Sequence, residues 1–165
     1  MAIAIGTPAP DVEGVEIDGP RALVFFKVTC GTTKLATPAV ERLARAYPGC
    51  VVGAGQDPWL ELDGFAREFG LTLPLVADLA PYAASDAYGI ASAPTVVAVD
   101  AAGLVADVAG SWDRDGWNRS GRRSRGSSAC RWPRPPSRAT DSRASNPAEP
   151  RATSARSQRV AATAA

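Results

Sequence analysis

Histidine is absent from this sequence of 165 residues, and its absence excludes several kinds of site. Histidine metal sites need imidazole ligands, and Ser-His-Asp triads and Cys-His dyads need imidazole as a base. The three cysteines, at positions 30, 50 and 130, are irregularly spaced, which predicts neither a disulfide framework nor a zinc cluster. We therefore expect no metal and no resident cofactor.

Long apolar runs are also missing, and none approaches the ~20 residues that a helix needs to cross a membrane. The segment from Met1 to Pro8 has neither the basic start nor the apolar run of a secretory signal. We therefore expect a cytoplasmic protein with no membrane partner.

Charge is distributed unevenly along the chain. Residues 1–117 contain seven Lys/Arg and fifteen Asp/Glu, a net charge of −8, whereas residues 118–165 contain eleven Arg and two acids, a net charge of +9. From position 118 the chain mixes Arg, Ser, Pro and Ala without apolar periodicity, and such a composition buries too little surface to offset the entropy lost on ordering. We therefore predict one domain over residues 1–117 and a disordered basic tail over residues 118–165.

The tail begins where a closing helix is expected, which suggests an origin for it. GC-rich codons read in a wrong frame encode Arg, Ser, Pro and Ala, so our hypothesis is a frameshifted or unselected extension. Without a closing helix one face of the sheet stays uncovered, and we expect self-association. Nucleic-acid binding is disfavoured, because Trp132 is the sole aromatic residue of the tail and its arginines have no regular spacing.

The first 117 residues show the pattern β-α-β-α-(α)-β-β, which predicts an α/β fold with a mixed central sheet flanked by helices. The run Ala22–Val28 is apolar enough for a central strand covered on both faces. Asp57 is the predicted N-cap of the second helix, with Pro58 as its first residue. The other predicted elements are an edge strand 12–17, helix 33–46, a parallel strand 50–55, the end of the second helix near Phe69, a loop or strand 71–76, a short helix within 80–88, and strands 95–99 and 104–109 around a turn at 100–103.

Cys30 follows the predicted central strand and precedes a helix. The free N–H groups and the dipole at a helix N-terminus favour a thiolate, so this position predicts a reactive thiol. A buried structural cysteine is the alternative, but this position favours the reactive one. The local sequence is Thr29-Cys30-Gly31-Thr32-Thr33, so Thr33 stands where a Cys-x-x-Cys pair has its second thiol.

Four segments in this order resemble the thioredoxin-like redoxins, which include TlpA-type thiol-disulfide oxidoreductases and the alkyl hydroperoxide reductase/thiol-specific antioxidant proteins. The resemblance covers residues 5–117 and implies a thioredoxin fold in which Pro94 follows a cis bond and faces Cys30. It also implies that Thr29, Gly31, Thr32 and Ala93 form the substrate-binding surface around the catalytic positions Cys30, Pro94 and Thr33. The segments are Gly6-Thr-Pro-Ala-Pro-Asp11, Val24-Phe-Phe-Lys-Val-Thr-Cys30, Asp86-Ala-Tyr-Gly-Ile90 and Ala93-Pro-Thr-Val-Val97.

The sequence also departs from the family. Gly31 stands where the family frequently has a proline, and Thr29 stands where it frequently has a tryptophan. Val24 stands where thioredoxin has a buried acid. The peroxiredoxin motif Pro-x-x-x-Thr-x-x-Cys has no counterpart, because Leu23 and Lys27 occupy its proline and threonine positions. These departures weaken the case for a peroxidase site.

Neither of the other cysteines is expected to resolve a disulfide on Cys30. A helix of fourteen residues would place Cys50 roughly 20 Å away, in the core, whereas a disulfide needs Cα atoms within about 7 Å. Cys130 lies in the tail with nothing to position it.

Thr33 is either a first-turn helix residue that bonds a nearby backbone group or an inert stand-in that hydrogen-bonds the thiolate. Three tryptophans, Trp59, Trp112 and Trp117, are predicted to be packing residues.

The predicted function is a monothiol thiol-disulfide oxidoreductase that acts through Cys30. Its partners would be protein or small-molecule disulfides, and a low-molecular-weight thiol or a thioredoxin-type reductant would resolve the mixed disulfide. A one-cysteine peroxiredoxin-like antioxidant peroxidase and a non-catalytic redoxin-fold binding module are the alternatives.

Overall fold

The computed structural model describes residues 2–17, 19–111 and 113. The predicted tail, Cys130, Trp112 and Trp117 lie outside the described residues. Within the described part of the chain, no helix has the length and apolar character needed to span a bilayer. The elements are β1 (Arg21–Phe26), α1 (Gly31–Ala46), β2 (Val51–Gly55), α2 (Trp59–Phe69), β3 (Leu75–Ala77), α3 (Ala83–Ala87), β4 (Thr95–Val99) and β5 (Val105–Gly110).

The strands form a five-stranded sheet in the order β3-β2-β1-β4-β5. β1 pairs with β2, and β2 with β3, in parallel, whereas the β1–β4 and β4–β5 pairs are antiparallel. β1 is central because residues 22–26 are buried on both faces of the sheet, as their unbroken apolar run predicts. The predicted α/β fold with a mixed sheet is therefore confirmed.

The two faces of the sheet are covered by different elements. Val24 packs with residues of α1, and Phe26 packs with Leu62 and Phe65 of α2, so these two helices share one face. Residues of the opposite face, such as Phe25, pack with Tyr88 and with the N-terminal segment. The Tyr88 hydroxyl donates to the backbone oxygen of Pro10 at 2.7 Å, which holds that segment to the end of α3.

Two glycines of β2 allow α2 and β3 to pack closely. A Cβ atom added at Gly55 would collide with the Leu62 side chain of α2. One added at Gly53 would lie 2.6 Å from a side-chain carbon of Leu75 and 2.9 Å from one of Phe26. Glycine inside a strand often marks such a close approach.

The boundaries of two helices correct the sequence prediction. α1 begins at Gly31 rather than at residue 33, so Cys30 itself is its N-cap. α2 begins at Trp59 with Pro58 as N-cap, and no side chain caps it. The prediction that Asp57 caps α2 is wrong, because its carboxylate accepts the backbone N–H of Val28 at 2.7 Å.

Three further predictions on the N-terminal segment and on packing are wrong. Residues 12–17 form no strand but a tight turn, in which the Val15 N–H donates to the Val12 oxygen at 2.9 Å and Gly14 has a φ of +78°. Trp59 is 58% exposed rather than packed, because it opens α2 at the end of the sheet. Cys50 is half-buried and precedes β2 instead of lying in the core.

Candidate active site

Cys30 lies in the turn between the end of β1 and the start of α1. Its backbone is extended, with φ −79° and ψ 120°, so the chain turns into the helix at this residue. The Cys30 N–H donates to the Lys27 oxygen at 3.0 Å, and the Cys30 oxygen accepts the Lys34 N–H at 3.2 Å. The half-buried thiol therefore stands at the N-terminus of a helix of 16 residues whose first turn has no acidic residue.

This position lowers the pKa of the Cys30 thiol below its ordinary value. The largest cause is hydrogen bonding from the Thr33 N–H, and burial opposes it by raising the pKa. The Thr33 hydroxyl, the Thr32 N–H and the Thr32 hydroxyl lower the pKa further. Unpaired N–H groups of a first helical turn stabilise a thiolate in this way, and the prediction of an activated thiol agrees with the geometry.

The residues before β4 face the thiol. Cys30 Sγ donates to the backbone oxygen of Ala93 at 3.4 Å. The Ala93–Pro94 peptide bond is cis, as the resemblance implies, and the Pro94 side chain is less than 2% exposed. Thr95 Oγ1 donates to the Ser92 oxygen at 2.7 Å, which ties this turn to the start of β4. The structure therefore places the Ala93 oxygen against the Cys30 sulfur, with Pro94 the next residue along the chain.

Thr33 lies one helical turn beyond Cys30 and is 3% exposed. Its Oγ1 is buried and has no hydrogen-bond partner among the described residues. In this structure the Cys30 thiol donates to Ala93, and hydrogen bonding from the Thr33 hydroxyl to the sulfur would lower the pKa of Cys30. Among the described residues Thr33 Oγ1 is bonded neither to a backbone oxygen nor to the sulfur, so both roles of Thr33 stay predictions.

Thr33 lines a small apolar cavity of about 20 Å³, which is room for a single water. Thr37 also lines the cavity, but its hydroxyl donates to the Thr33 oxygen at 2.8 Å. The remaining lining residues are Val24, Phe26, Val40, Phe65, Leu71, Leu73 and Pro94.

The four predicted substrate-binding residues differ in exposure. Thr29 and Gly31 are exposed on either side of Cys30, whereas Thr32 and Ala93 are half-buried. Ala93 is in direct contact with the sulfur, and the other three belong to the turn that carries it. Their role in binding a substrate stays a prediction.

Asp57 is a residue of this region that the sequence prediction misplaced. It is 4% exposed, and through its bond to the Val28 N–H it joins the turn after β2 to the turn that carries Cys30. A signal for this position exists in the sequence, since the carboxyl ends of adjacent parallel strands meet at one edge of a sheet. A carboxylate two residues after β2 therefore has to lie near the end of β1.

The other candidate groups lie away from Cys30. Cys50 follows the far end of α1, and a helix of 16 residues is about 24 Å long, which agrees with the prediction that Cys50 cannot resolve a disulfide on Cys30. Lys27 is half-buried at the end of β1 and its oxygen accepts the Cys30 N–H. Among the described residues, no group of three or more His, Cys, Asp or Glu side chains is arranged to hold a metal ion.

Comparisons with known proteins place this geometry in context. No family model matches the chain, and no curated protein matches it significantly. Solved structures do match. A Chlorobium tepidum protein described as thiol:disulfide interchange protein DsbE aligns with a TM-score of 0.63 and 18% identity, over 72% of this chain and 96% of that one.

Two further structures have similar scores. The thioredoxin domain of a thiol-disulfide oxidoreductase from Bacteroides vulgatus has a TM-score of 0.58 and 17% identity, over 72% of this chain and 96% of that one. MTB DsbF, solved in mixed oxidized and reduced forms, has a TM-score of 0.54 and 25% identity, over 62% of this chain and 78% of that one. At such identities the similarity establishes a shared fold.

Proposed function

We propose that this chain, which has the thioredoxin-like fold, is a thiol-disulfide oxidoreductase that works as a monothiol enzyme through Cys30. The observation that carries the proposal is the placement of the Cys30 thiol, at the N-terminus of α1 and 3.4 Å from the Ala93 oxygen beside the cis bond to Pro94. Helix N–H groups that lower the pKa of the thiol increase the fraction of thiolate, which is the nucleophile in disulfide exchange.

The first step is an attack of the Cys30 thiolate on one sulfur of a substrate disulfide. A bond forms between Cys30 Sγ and that sulfur, the substrate S–S bond breaks, and the second substrate sulfur leaves as a thiolate that takes a proton from water. The Ala93 carbonyl, which accepts a hydrogen bond from the Cys30 thiol in the resting state, lies 3.4 Å from the sulfur.

The second step needs a thiol from outside the protein. Thr33 holds the position at which a second cysteine would attack, and a hydroxyl does not perform thiol-disulfide exchange. An external thiolate attacks the mixed disulfide at the substrate sulfur, forms a new disulfide with it and releases the Cys30 thiolate. A low-molecular-weight thiol or a thioredoxin-type reductant supplies this group.

The proposal is tested with the reduced full chain and a protein disulfide such as insulin. We expect mass spectrometry to detect a mixed disulfide on Cys30, and turnover to depend on the concentration of added thiol. Cys30→Ser is the control: it should form no adduct at position 30, and any adduct on Cys50 or Cys130 is separated from it by peptide mapping. Turnover by Cys30→Ser equal to that of the unmodified chain would refute the proposal.

One observation favours a second candidate, a non-catalytic binding module with the same fold. Thr33 removes the internal resolving thiol that a dithiol enzyme needs. Alkylation by iodoacetamide at neutral pH separates the two candidates, because an unreactive Cys30 would support the module.

The peroxidase alternative has weaker support, since Leu23 is fully buried in the core and Lys27 replaces the threonine of the peroxiredoxin motif. Consumption of hydrogen peroxide by the reduced chain tests it directly.

A further inference from the structure

Asp57 is a buried acid beside the turn that carries Cys30, and the two steps of the proposed exchange do not use it. It follows β2 by two residues and is 4% exposed. Burying a carboxylate is costly unless hydrogen bonds compensate it. Its Oδ2 atom accepts the Val28 N–H at 2.7 Å, a short distance that is typical of bonds to a charged acceptor. The position of Val28 therefore decides what Asp57 does.

The bond between Asp57 and Val28 replaces a hydrogen bond of the sheet. β1 and β2 pair in parallel as far as Phe26 opposite Gly55, and the Gln56 N–H donates once more to the Phe26 oxygen at 2.9 Å. In a continued parallel ladder the next bond would join the Val28 N–H to the Gln56 oxygen. Because the Asp57 carboxylate accepts that N–H instead, the chain leaves the sheet at Val28 while its donor stays paired.

Val28 is the second residue of the turn that ends at Cys30. The Cys30 N–H closes this turn on the Lys27 oxygen at 3.0 Å. The Val28 side chain packs in the apolar cluster that joins the end of β1 to α2, whereas Thr29 is exposed. Val28 is thus held at two points, by its N–H and by its side chain. The path of the chain into Cys30 is therefore set at Val28.

The sulfur of Cys30 has two sets of neighbours, which belong to different parts of the chain. The first turn of α1 lies on one side, and the Ala93 oxygen lies 3.4 Å away on the other. A displacement of about 1 Å is enough to slow a reaction as much as about 100-fold. Asp57 is not among the groups that shift the pKa of this thiol, so its effect on the sulfur passes through Val28.

We propose that Asp57 is a positioning residue for the thiol of Cys30: its carboxylate fixes the turn from Lys27 to Cys30, so that the sulfur meets both the start of α1 and the Ala93 oxygen. This inference rests on the proposed function, because it assigns to Asp57 a part in keeping Cys30 ready for disulfide exchange. Asp57 acts through the backbone of Val28 and takes no part in the exchange of bonds.

Substitutions at Asp57 test this role through the chemistry of Cys30. Asp57→Ala and Asp57→Leu both remove the acceptor, and Asp57→Leu keeps a branched side chain of similar size where Asp57→Ala proves too unstable. We expect both to raise the pKa of Cys30 and to slow its alkylation by iodoacetamide at pH 7 about tenfold. Asp57→Asn keeps a carbonyl oxygen at the same place and should restore the rate to within about twofold.

Mass spectrometry of the tryptic peptide 28–34 measures alkylation of Cys30 separately from the other cysteines. The pH dependence of this alkylation reports the pKa of the thiol, and urea denaturation of the same samples reports their stability. The two measurements together distinguish a thiol that has lost its position from a domain that has lost its fold.

Asp78 provides the matched control. It is also buried, at 7% exposed, it directly follows β3, and its two carboxylate oxygens accept backbone N–H groups of α3 at 3.1 and 2.9 Å. Asp78→Ala therefore removes a similarly buried acceptor from a turn that does not carry Cys30. We expect it to lower the stability of the domain and to leave the alkylation of Cys30 unchanged.

The outcomes separate this inference from the proposed function. Slower alkylation in Asp57→Ala and Asp57→Leu, with recovery in Asp57→Asn, supports the positioning role even where the unmodified chain forms no adduct with insulin. Equal slowing in Asp57→Ala and Asp78→Ala would overturn the role, because both effects would then follow from stability alone. An unchanged alkylation midpoint and an unchanged rate of insulin adduct formation in Asp57→Ala would also overturn it and leave the proposed function standing.

Discussion

The Cys30 thiol donates a hydrogen bond to the backbone oxygen of Ala93, 63 residues further along the chain, at 3.4 Å. The bond exists because β1 and β4 are antiparallel neighbours, with Phe25 opposite Thr95, so that the end of β1 meets the start of β4. The same pairing brings Pro94 to the thiol. Sheet topology therefore assembles the site from two distant segments.

The first prediction concerns the hydroxyl of Thr33. Thr33→Val keeps the shape of the side chain but removes a group that lowers the pKa of Cys30, so that pKa should rise towards the ordinary value of about 8.5. The pH dependence of iodoacetamide alkylation measures it. Thr37→Val is the control, because Thr37 lines the same cavity but is bonded to the Thr33 oxygen. An identical alkylation midpoint in Thr33→Val and the unmodified chain would show that the hydroxyl does not act on the thiolate.

The second prediction concerns the missing resolving thiol. A mixed disulfide on Cys30 should persist until an external thiol is added, and Thr33→Cys should shorten its lifetime, because residues three apart lie on one side of a helix. Quenched-flow mass spectrometry of the adduct measures the lifetime. Thr37→Cys, a further turn away, should have no such effect. A short-lived adduct in the unmodified chain without added thiol would contradict the monothiol mechanism.

The third prediction concerns acid stability. Glu41 is 7% exposed, and burial raises its pKa, but hydrogen bonds from Arg45 and Thr72 outweigh burial and hold the pKa below its ordinary value. Because the pKa of Glu41 is lower in the folded state, its ionised side chain stabilises the fold at pH values above about 4.3, the pKa of glutamate in the unfolded chain. This stabilisation is lost as the pH falls through the pKa of Glu41 in the folded state.

Urea denaturation at several pH values tests this contribution. Glu41→Gln should cost about 1–3 kcal/mol of unfolding free energy at pH 7 and lose less stability than the unmodified chain below pH ~4. Glu61→Gln, at an exposed position of α2, should change the unfolding free energy by less than about 0.5 kcal/mol. Parallel pH profiles for Glu41→Gln and the unmodified chain would contradict the assignment.

The fourth prediction concerns glycines at the contact of β2 with α2. Gly55→Ala should lower the unfolding free energy by about 1–3 kcal/mol, because the new methyl group meets the Leu62 side chain. Gly64→Ala, in α2 with no heavy atom near the added carbon, should raise it by about 0.5–1 kcal/mol through helix propensity and lower chain entropy. Thermal unfolding measures both. Equal melting temperatures for the two variants would mean that α2 does not pack closely on Gly55.

Much of the fold could be predicted from local sequence patterns. The apolar run before Cys30, the apolar spacing of α1 and the turn at residues 100–103 each depend on nearby residues, and all three were confirmed. The prediction of an edge strand at residues 12–17 was wrong, because the alternating apolar residues close a turn around Gly14 instead of pairing with the sheet. Apolar alternation alone does not identify the partner that a strand needs.

The sequence by itself determined that Cys30 lies between a strand and a helix, that residue 33 is a threonine and not a second cysteine, and that no histidine can act as a base. These properties are local or compositional. Only the tertiary structure decided that Asp57 bonds Val28 rather than capping α2, and that Trp59 is exposed rather than packed. Those outcomes depend on the order in which strands pair, because parallel pairing of β1, β2 and β3 brings together turns that are far apart in the chain.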